Sequence, residues 1–139
     1  AEKAAEPATD PMLSDAGTAR AARLPELFAY AMPSVVFSTQ YQRTRLTAQP
    51  VADAAGIPVT VIAISKDTAD SYPQQMLEAI CGLPDGAKVL VVGHSNTVPA
   101  MVTAWTGEPV PEIAEDEFDR LFMVRLRDCA SEGWSDLRY

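Results

Sequence analysis

The sequence of 139 residues is poor in histidine and in basic side chains. It contains a single histidine, His94, and 11 lysines and arginines against 19 acidic residues, which gives a formal net charge of −8 at pH 7. This balance argues against general nucleic-acid binding, which needs a basic face to neutralise phosphates. An anionic ligand would therefore have to be bound by a few local cations in a cleft.

Cysteine and long apolar runs are also scarce. Cys81 and Cys129 are too few and too far apart in sequence for a disulfide framework or a zinc site. We therefore expect each to be a small buried hydrophobic residue. No run approaches the ~20 apolar residues of a membrane-spanning helix, and the polar start Ala1-Glu2-Lys3 shows no signal peptide. The sequence is compatible with a cytoplasmic protein or with an exported, periplasmic one.

Amphipathic segments alternate with short apolar segments, a pattern typical of one α/β domain over residues 1–139. Strands are predicted at residues 35–37, 59–62, 88–92 and 121–126, with residues 134–138 pairing with the last as a hairpin. The continuous Val/Leu run of residues 88–92 predicts a strand at the centre of a parallel sheet. No G-x-G-x-x-G follows the first strand, which disfavours a dinucleotide-binding domain.

Capping signals delimit the predicted helices. Ser14 is an expected N-cap of the first helix, which Pro33 is expected to close. The second helix is predicted from Gln42 to Ala55, with Gly56 as its C-terminal cap. Two further helices are predicted at residues 73–81 and 98–106.

Polar side chains follow two of the predicted strands. The first strand leads to Ser38 and Arg43, and the strand 88–92 leads to His94. Ligands bind at the carboxyl ends of strands in open α/β sheets. The backbone N–H groups of Ser95 and Asn96 would open a helix, which favours an anion. A bidentate guanidinium and a protonatable imidazole at this edge suit a phosphate group.

Each of these residues also has a plainer interpretation. Arg43 at a helix start could be a surface ion-pair partner, and His94 could be a hydrogen-bonded structural residue. Neither residue alone indicates a ligand site. Only their joint placement at two strand ends predicts one.

Three motifs follow one another along the chain: DPMLSDAGTARAARL, VVFSTQYQRTRLTAQPVA and VLVVGHSNTVPAMV. Together they resemble the histidine phosphatase (phosphoglycerate mutase-like) superfamily, along essentially the whole chain. The segment EDEFDRLFMVRL is similar to the acidic loop and last strand of a bacterial subgroup. The resemblance implies a three-layer α/β/α fold with a mostly parallel central sheet.

The resemblance also implies an activity. Such enzymes hydrolyse phosphate monoesters through a phosphohistidine intermediate, in a pocket of two arginines and two histidines. Arg43 matches the second arginine and His94 the second histidine, which clamps the transferring phosphoryl group. No metal or other cofactor is implied, since the pocket cations neutralise the phosphate. The substrate would be a small phosphorylated metabolite or a phosphohistidine-bearing protein.

The sequence departs from this pattern at its start. The first Arg-His pair of the family lies in an R-H-x-E motif, and Ala1-Glu2-Lys3 resembles the end of R-H-A-E-K. The nucleophilic histidine is therefore expected just upstream of residue 1, with Glu2 as the motif's glutamate near the catalytic site or else a solvated terminal charge. The domain would be N-terminally incomplete, lacking the strand beside residues 88–92. Losing its apolar burial would remove roughly 6–15 kcal/mol and leave this chain unstable alone.

The sequence leaves two points open, the general acid and the function. The general acid could be Asp67 or Asp70, although both fit solvated loop carboxylates. The leading hypothesis is a phosphatase that is complete only with its upstream residues, so that the chain by itself would be inactive. The alternative is a catalytically inactive phosphate-ligand-binding or interaction module.

Overall fold

The computed structural model describes all 139 residues, which form two compact units. The first comprises Ala1–Ala63 with Gly86–Gly93, and the second comprises Ile64–Asp85 with His94–Tyr139. The elements in chain order are α1 (Asp15–Leu27), β1 (Val35–Ser38), α2 (Gln42–Ala55), β2 (Val59–Val61), α3 (Tyr72–Cys81), β3 (Val89–Val92), α4 (Thr97–Thr106), β4 (Arg120–Arg127) and β5 (Ala130–Arg138). No helix is long and apolar enough to cross a membrane. The predicted α/β fold with a parallel sheet is confirmed, and one domain over 1–139 stays a prediction.

The first unit contains a parallel three-stranded sheet in the order β2-β1-β3. β1 is central, and its Val36 and Phe37 are buried. The prediction that residues 88–92 form the central strand is wrong for this sheet, because β3 lies at an edge. Only Leu90 of β3 is buried, and its valines are half-buried. The strand expected from upstream residues stays a prediction.

Helix α1 begins as the sequence predicts and ends earlier. The Ser14 Oγ accepts a hydrogen bond from the Gly17 N–H at 3.0 Å. The helix ends at Leu27, because Phe28 leaves helical geometry while its N–H still reaches the last-turn carbonyls. The prediction that Pro33 closes this helix is therefore wrong.

Helix α2 has the predicted bounds, Gln42–Ala55. Its C-cap Gly56 has φ +68°, a left-handed conformation that glycine adopts without steric cost. The buried Ala48, Val51 and Ala52 pack this helix against α1 and the sheet. Arg43 therefore lies on a helix that is fixed along its length.

The second unit combines two helices with a hairpin. The Trp105 Nε1–H donates to the Pro73 carbonyl at 2.8 Å, which joins α4 to α3. β4 and β5 pair in antiparallel fashion, as predicted, but over longer ranges than expected. The indole of Trp134 on β5 donates to the Glu108 carboxylate at 3.0 Å.

Cys81 and Cys129 form a disulfide, contrary to the prediction that both are buried hydrophobic residues. Cys81 is the last residue of α3, and the exposed Cys129 lies in the turn between β4 and β5. Their Cα atoms are 5.7 Å apart, although 48 positions separate them in the chain. The prediction failed because it relied on the sequence spacing, whereas the fold brings the hairpin turn to the end of α3.

Candidate functional site

The junction between β1 and α2 carries Arg43, the second residue of the helix. Ser38 and Thr39 are completely buried, and the Ser38 Oγ donates to the Thr39 carbonyl at 3.1 Å. The Thr39 and Thr44 hydroxyls are 2.7 Å apart, and the Thr44 hydroxyl also reaches the Tyr41 carbonyl at 2.9 Å. Since buried polar groups are costly to leave unpaired, these hydroxyls fix the junction in one conformation.

The guanidinium of Arg43 lies over the ring of Tyr41, with its Cζ 4.7 Å from the ring centroid. This distance is within the range of a cation–π interaction. Tyr41 is the N-cap residue of α2, with φ −72° and ψ 143°, and its side chain makes no capping hydrogen bond. Its ring contacts the Arg43 guanidinium instead.

Asp10 supplies the missing cap from another part of the chain. Its carboxylate accepts the Gln42 backbone N–H at 2.9 Å, and its carbonyl accepts the Gln42 Nε2–H at 3.1 Å. A carboxylate at this position satisfies one of the first-turn N–H groups and complements the helix dipole. The loop before α1 thus holds the start of α2.

Glu2, the predicted glutamate of the site, is bound to Arg20 of α1. The Arg20 Nε is 3.0 Å from both carboxylate oxygens, and its Nη2 is 2.7 Å from Oε1. This hydrogen bonding lowers the pKa of the Glu2 carboxyl, against the smaller opposing effect of burial. The Ser14 N–H donates to the Glu2 carbonyl at 3.0 Å, and a side chain at Gly17 would overlap that carbonyl. The N-terminal segment is therefore held on α1.

His94 belongs to the second unit and is the first residue of its segment His94–Tyr139. The His94 N–H donates to the Thr97 hydroxyl at 2.8 Å, and its carbonyl accepts the Val98 N–H at 3.0 Å. Ser95 and Asn96 are exposed, and Asn96 is the N-cap residue of α4. The predicted helix opening after His94 is confirmed, and such an opening favours an anion.

The strand ends that lead to Arg43 and His94 are neighbours. β1 and β3 run parallel, and Ser38 pairs with Val92 at their carboxyl ends. Arg43 follows one of these ends and His94 follows the other. That the two side chains bind one ligand stays a prediction.

Other titratable candidates are less informative. Asp67 and Asp70 are exposed in the loop between β2 and α3, and the role of either as the general acid stays a prediction. No group of three or more His, Cys, Asp or Glu side chains is arranged to hold a metal ion.

Sequence reasoning missed three supporting residues. Tyr41 carried a local signal, because it is an aromatic residue two positions before a candidate arginine. Asp10 and Arg20 carried none, since their partners Gln42 and Glu2 lie 32 and 18 positions away in the chain.

No curated protein matches the chain, whereas several solved structures do. The protein histidine phosphatase SixA complexed with tungstate is 16% identical, with a TM-score of 0.70, over 99% of this chain and 91% of that one. The mycobacterial glucosyl-3-phosphoglycerate phosphatase complexed with VO3 is 17% identical, with a TM-score of 0.62, over 73% and 72%. These likenesses show that the chain has a phosphoglycerate-mutase-like fold.

A putative phosphohistidine phosphatase SixA from Agrobacterium tumefaciens is 25% identical, with a TM-score of 0.56, over 76% of this chain and 71% of that one. Residues 1–64, which include Glu2 and Arg43, match the model of the histidine phosphatase superfamily, branch 1.

Proposed function

We propose that the chain is the larger part of a phosphate-monoester hydrolase of the histidine phosphatase superfamily, acting through a phosphohistidine intermediate. Arg43 and His94, with the N–H groups of Ser95 and Asn96, form half of its phosphate pocket. Residues preceding Ala1 supply the nucleophilic histidine. The observation that carries the proposal is the parallel register of β1 and β3, whose adjacent carboxyl ends lead to Arg43 and His94.

The two side chains have complementary chemistry toward a phosphoryl group. The guanidinium of Arg43 can donate two parallel hydrogen bonds to two phosphoryl oxygens. A protonated His94 adds a charged donor to the oxygens on which negative charge accumulates in the transition state. The nucleophilic nitrogen forms an N–P bond as the bond between phosphorus and the leaving group breaks, a P–O bond in an ester and a P–N bond in a phosphohistidine. Water later cleaves the enzyme's N–P bond and releases inorganic phosphate.

The similar structures support an oxyanion ligand. They include complexes with tungstate, with VO3 and, in the mycobacterial phosphatase, with inorganic phosphate. Tungstate and vanadate are oxyanions that imitate phosphate. The substrate classes that fit are a small phosphorylated metabolite and a phosphohistidine-bearing protein.

In this proposal, Glu2 supports the pocket by holding the N-terminal segment in place. Its carboxylate is ionised and bound by Arg20, so it is not a proton donor in the observed arrangement. It anchors the N-terminal segment, which directly follows the expected nucleophilic histidine in the chain. The acid that protonates the leaving group is then a different residue.

Hydrolysis of an aryl phosphate by the natural protein, with the residues that precede Ala1, tests the proposal. We expect His94→Ala to lower kcat by roughly 10²–10³-fold, the usual loss on removing a donor that stabilises transition-state charge. Glu26→Gln, exposed near the end of α1, is the matched control and should leave turnover unchanged. Unchanged turnover in the His94 variant would remove this residue from the mechanism.

The second candidate function is a non-catalytic phosphate-ligand-binding or interaction module. The observation that favours it is that His94 is the sole histidine of the 139 residues. Inorganic phosphate or vanadate should then raise the Tm, and Arg43→Ala should abolish the increase. Phosphate binding without turnover in the natural protein would decide for the binding module.

A further inference from the structure

The Tyr41 ring and the Arg43 guanidinium form a local pair at the start of α2. The Cζ of Arg43 lies 4.7 Å from the ring centroid, and both residues are half-buried. Attraction between a cation and a ring face is strongest when the pair is partly removed from water. The pair therefore contributes a directional restraint to the Arg43 guanidinium.

The ring stands on a fixed backbone. The Tyr41 carbonyl accepts the Thr44 hydroxyl at 2.9 Å and the Arg45 N–H at 3.1 Å. The Asp10 carboxylate holds the N–H of the following residue, Gln42. Because both polar groups of the peptide unit between Tyr41 and Gln42 are bonded, the ring is a stable surface on which the guanidinium can rest.

We propose that Tyr41 is a positioning residue that preorganises Arg43 for phosphate binding, an inference that rests on the function proposed above. An arginine free to rotate must be ordered when the anion binds, and this ordering weakens affinity. The ring holds the guanidinium before the anion arrives, through a contact with its face that does not use its edge N–H groups. The ring face makes this contact, and Tyr41→Phe keeps it.

Graded changes of the ring at position 41 test the inference in the natural protein. Vanadate and inorganic phosphate affinities are measured by calorimetry for Tyr41→Phe, for its mono-, di- and trifluorinated phenylalanine analogues, and for Tyr41→Leu. Tyr41→Phe should match the wild type. Fluorination should weaken affinity stepwise, because it depletes the ring face of negative charge, and Tyr41→Leu should weaken it roughly two- to fivefold.

Tyr30 provides a matched control, because it is fully exposed outside this junction. Tyr30→Leu should leave both affinities unchanged. A ring that merely fills space predicts the same affinity across the fluorinated series, since these analogues are nearly isosteric. That flat result would overturn the inference, and the series still decides it if Tyr41→Leu does not fold.

The same affinity measurements distinguish a failure of the proposed function from a failure of the proposed role of Tyr41. Failure of the wild type to bind either anion would overturn the proposed function and this inference together. Binding that is lost in Arg43→Ala but constant across the ring series would overturn the role of Tyr41 alone.

Discussion

A side chain far away in sequence holds the helix start on which Arg43 lies. The Asp10 carboxylate accepts the first N–H of α2, where Tyr41 makes no capping hydrogen bond. Asp10→Ala should therefore lower the free energy of unfolding by about 1 kcal/mol, the usual cost of losing a cap. Urea unfolding checks this value. Asp10→Asn keeps an acceptor oxygen and should lose less, so equal losses in both variants would contradict a capping role.

The Glu2–Arg20 ion pair predicts a pH dependence of stability. The pKa of Glu2 is lowered in the fold, so its stabilisation is present above the ordinary value and is lost as pH falls through the lowered pKa. The Arg20 and Glu2 side chains are 30% and 17% exposed, so we expect a contribution of about 1 kcal/mol or less. Below about pH 4.5, the wild type should lose stability more steeply than Glu2→Gln.

Urea unfolding of both proteins between pH 3 and pH 7 measures this difference. Arg20→Gln is the matched control, since it removes the same pair from the other side and should flatten the same part of the curve. Parallel curves for wild type and Glu2→Gln would show that the ion pair does not stabilise the fold.

At the scale of the helices and strands, features that depend on neighbouring residues were predicted better than features that depend on distant parts of the chain. The bounds of α2 followed from its apolar spacing and from Gly56, both of which act within a few residues. The end of α1 was missed, because Phe28 leaves helical geometry before the chain reaches Pro33. The edge position of β3 was also not predicted, because a run of valines indicates that a strand is buried but does not indicate its order in the sheet.

The disulfide between α3 and the β4–β5 turn is an element-scale contact that carries a stability prediction. Cys81 and Cys129 close a loop across 48 positions, which in the chain-entropy model stabilises the fold by about 4 kcal/mol. The double variant Cys81→Ser, Cys129→Ser should therefore unfold at lower urea concentration. Tryptophan fluorescence follows this change, because Trp105 and Trp134 both lie in the second unit.

A reducing agent should destabilise the wild type to the same extent and leave the double variant unchanged. Mass spectrometry of the alkylated protein shows whether the thiols are paired. Equal unfolding of wild type and double variant under oxidising conditions would contradict a stabilising bridge.

At the scale of the whole molecule, sequence motifs predicted the fold class better than the supporting contacts. The α/β fold with a parallel sheet is confirmed, because alternating helices and apolar strands determine it. The contacts of Asp10 and Arg20 could not be predicted, since each joins segments that only the tertiary fold brings together.

The proposed phosphate pocket predicts energetic coupling between Arg43 and His94. If Arg43 and His94 bind the same anion, the losses of vanadate affinity in Arg43→Lys and His94→Gln should not add in the double variant. Coupling between groups that share a ligand is typically about 0.5–3 kcal/mol. Calorimetric titration of the four proteins measures it, and pairing Arg43→Lys with the exposed Glu26→Gln gives the additive control. Unchanged vanadate affinity in His94→Gln, beside a clear loss in Arg43→Lys, would mean that His94 does not bind the same anion, and the single phosphate pocket would be wrong.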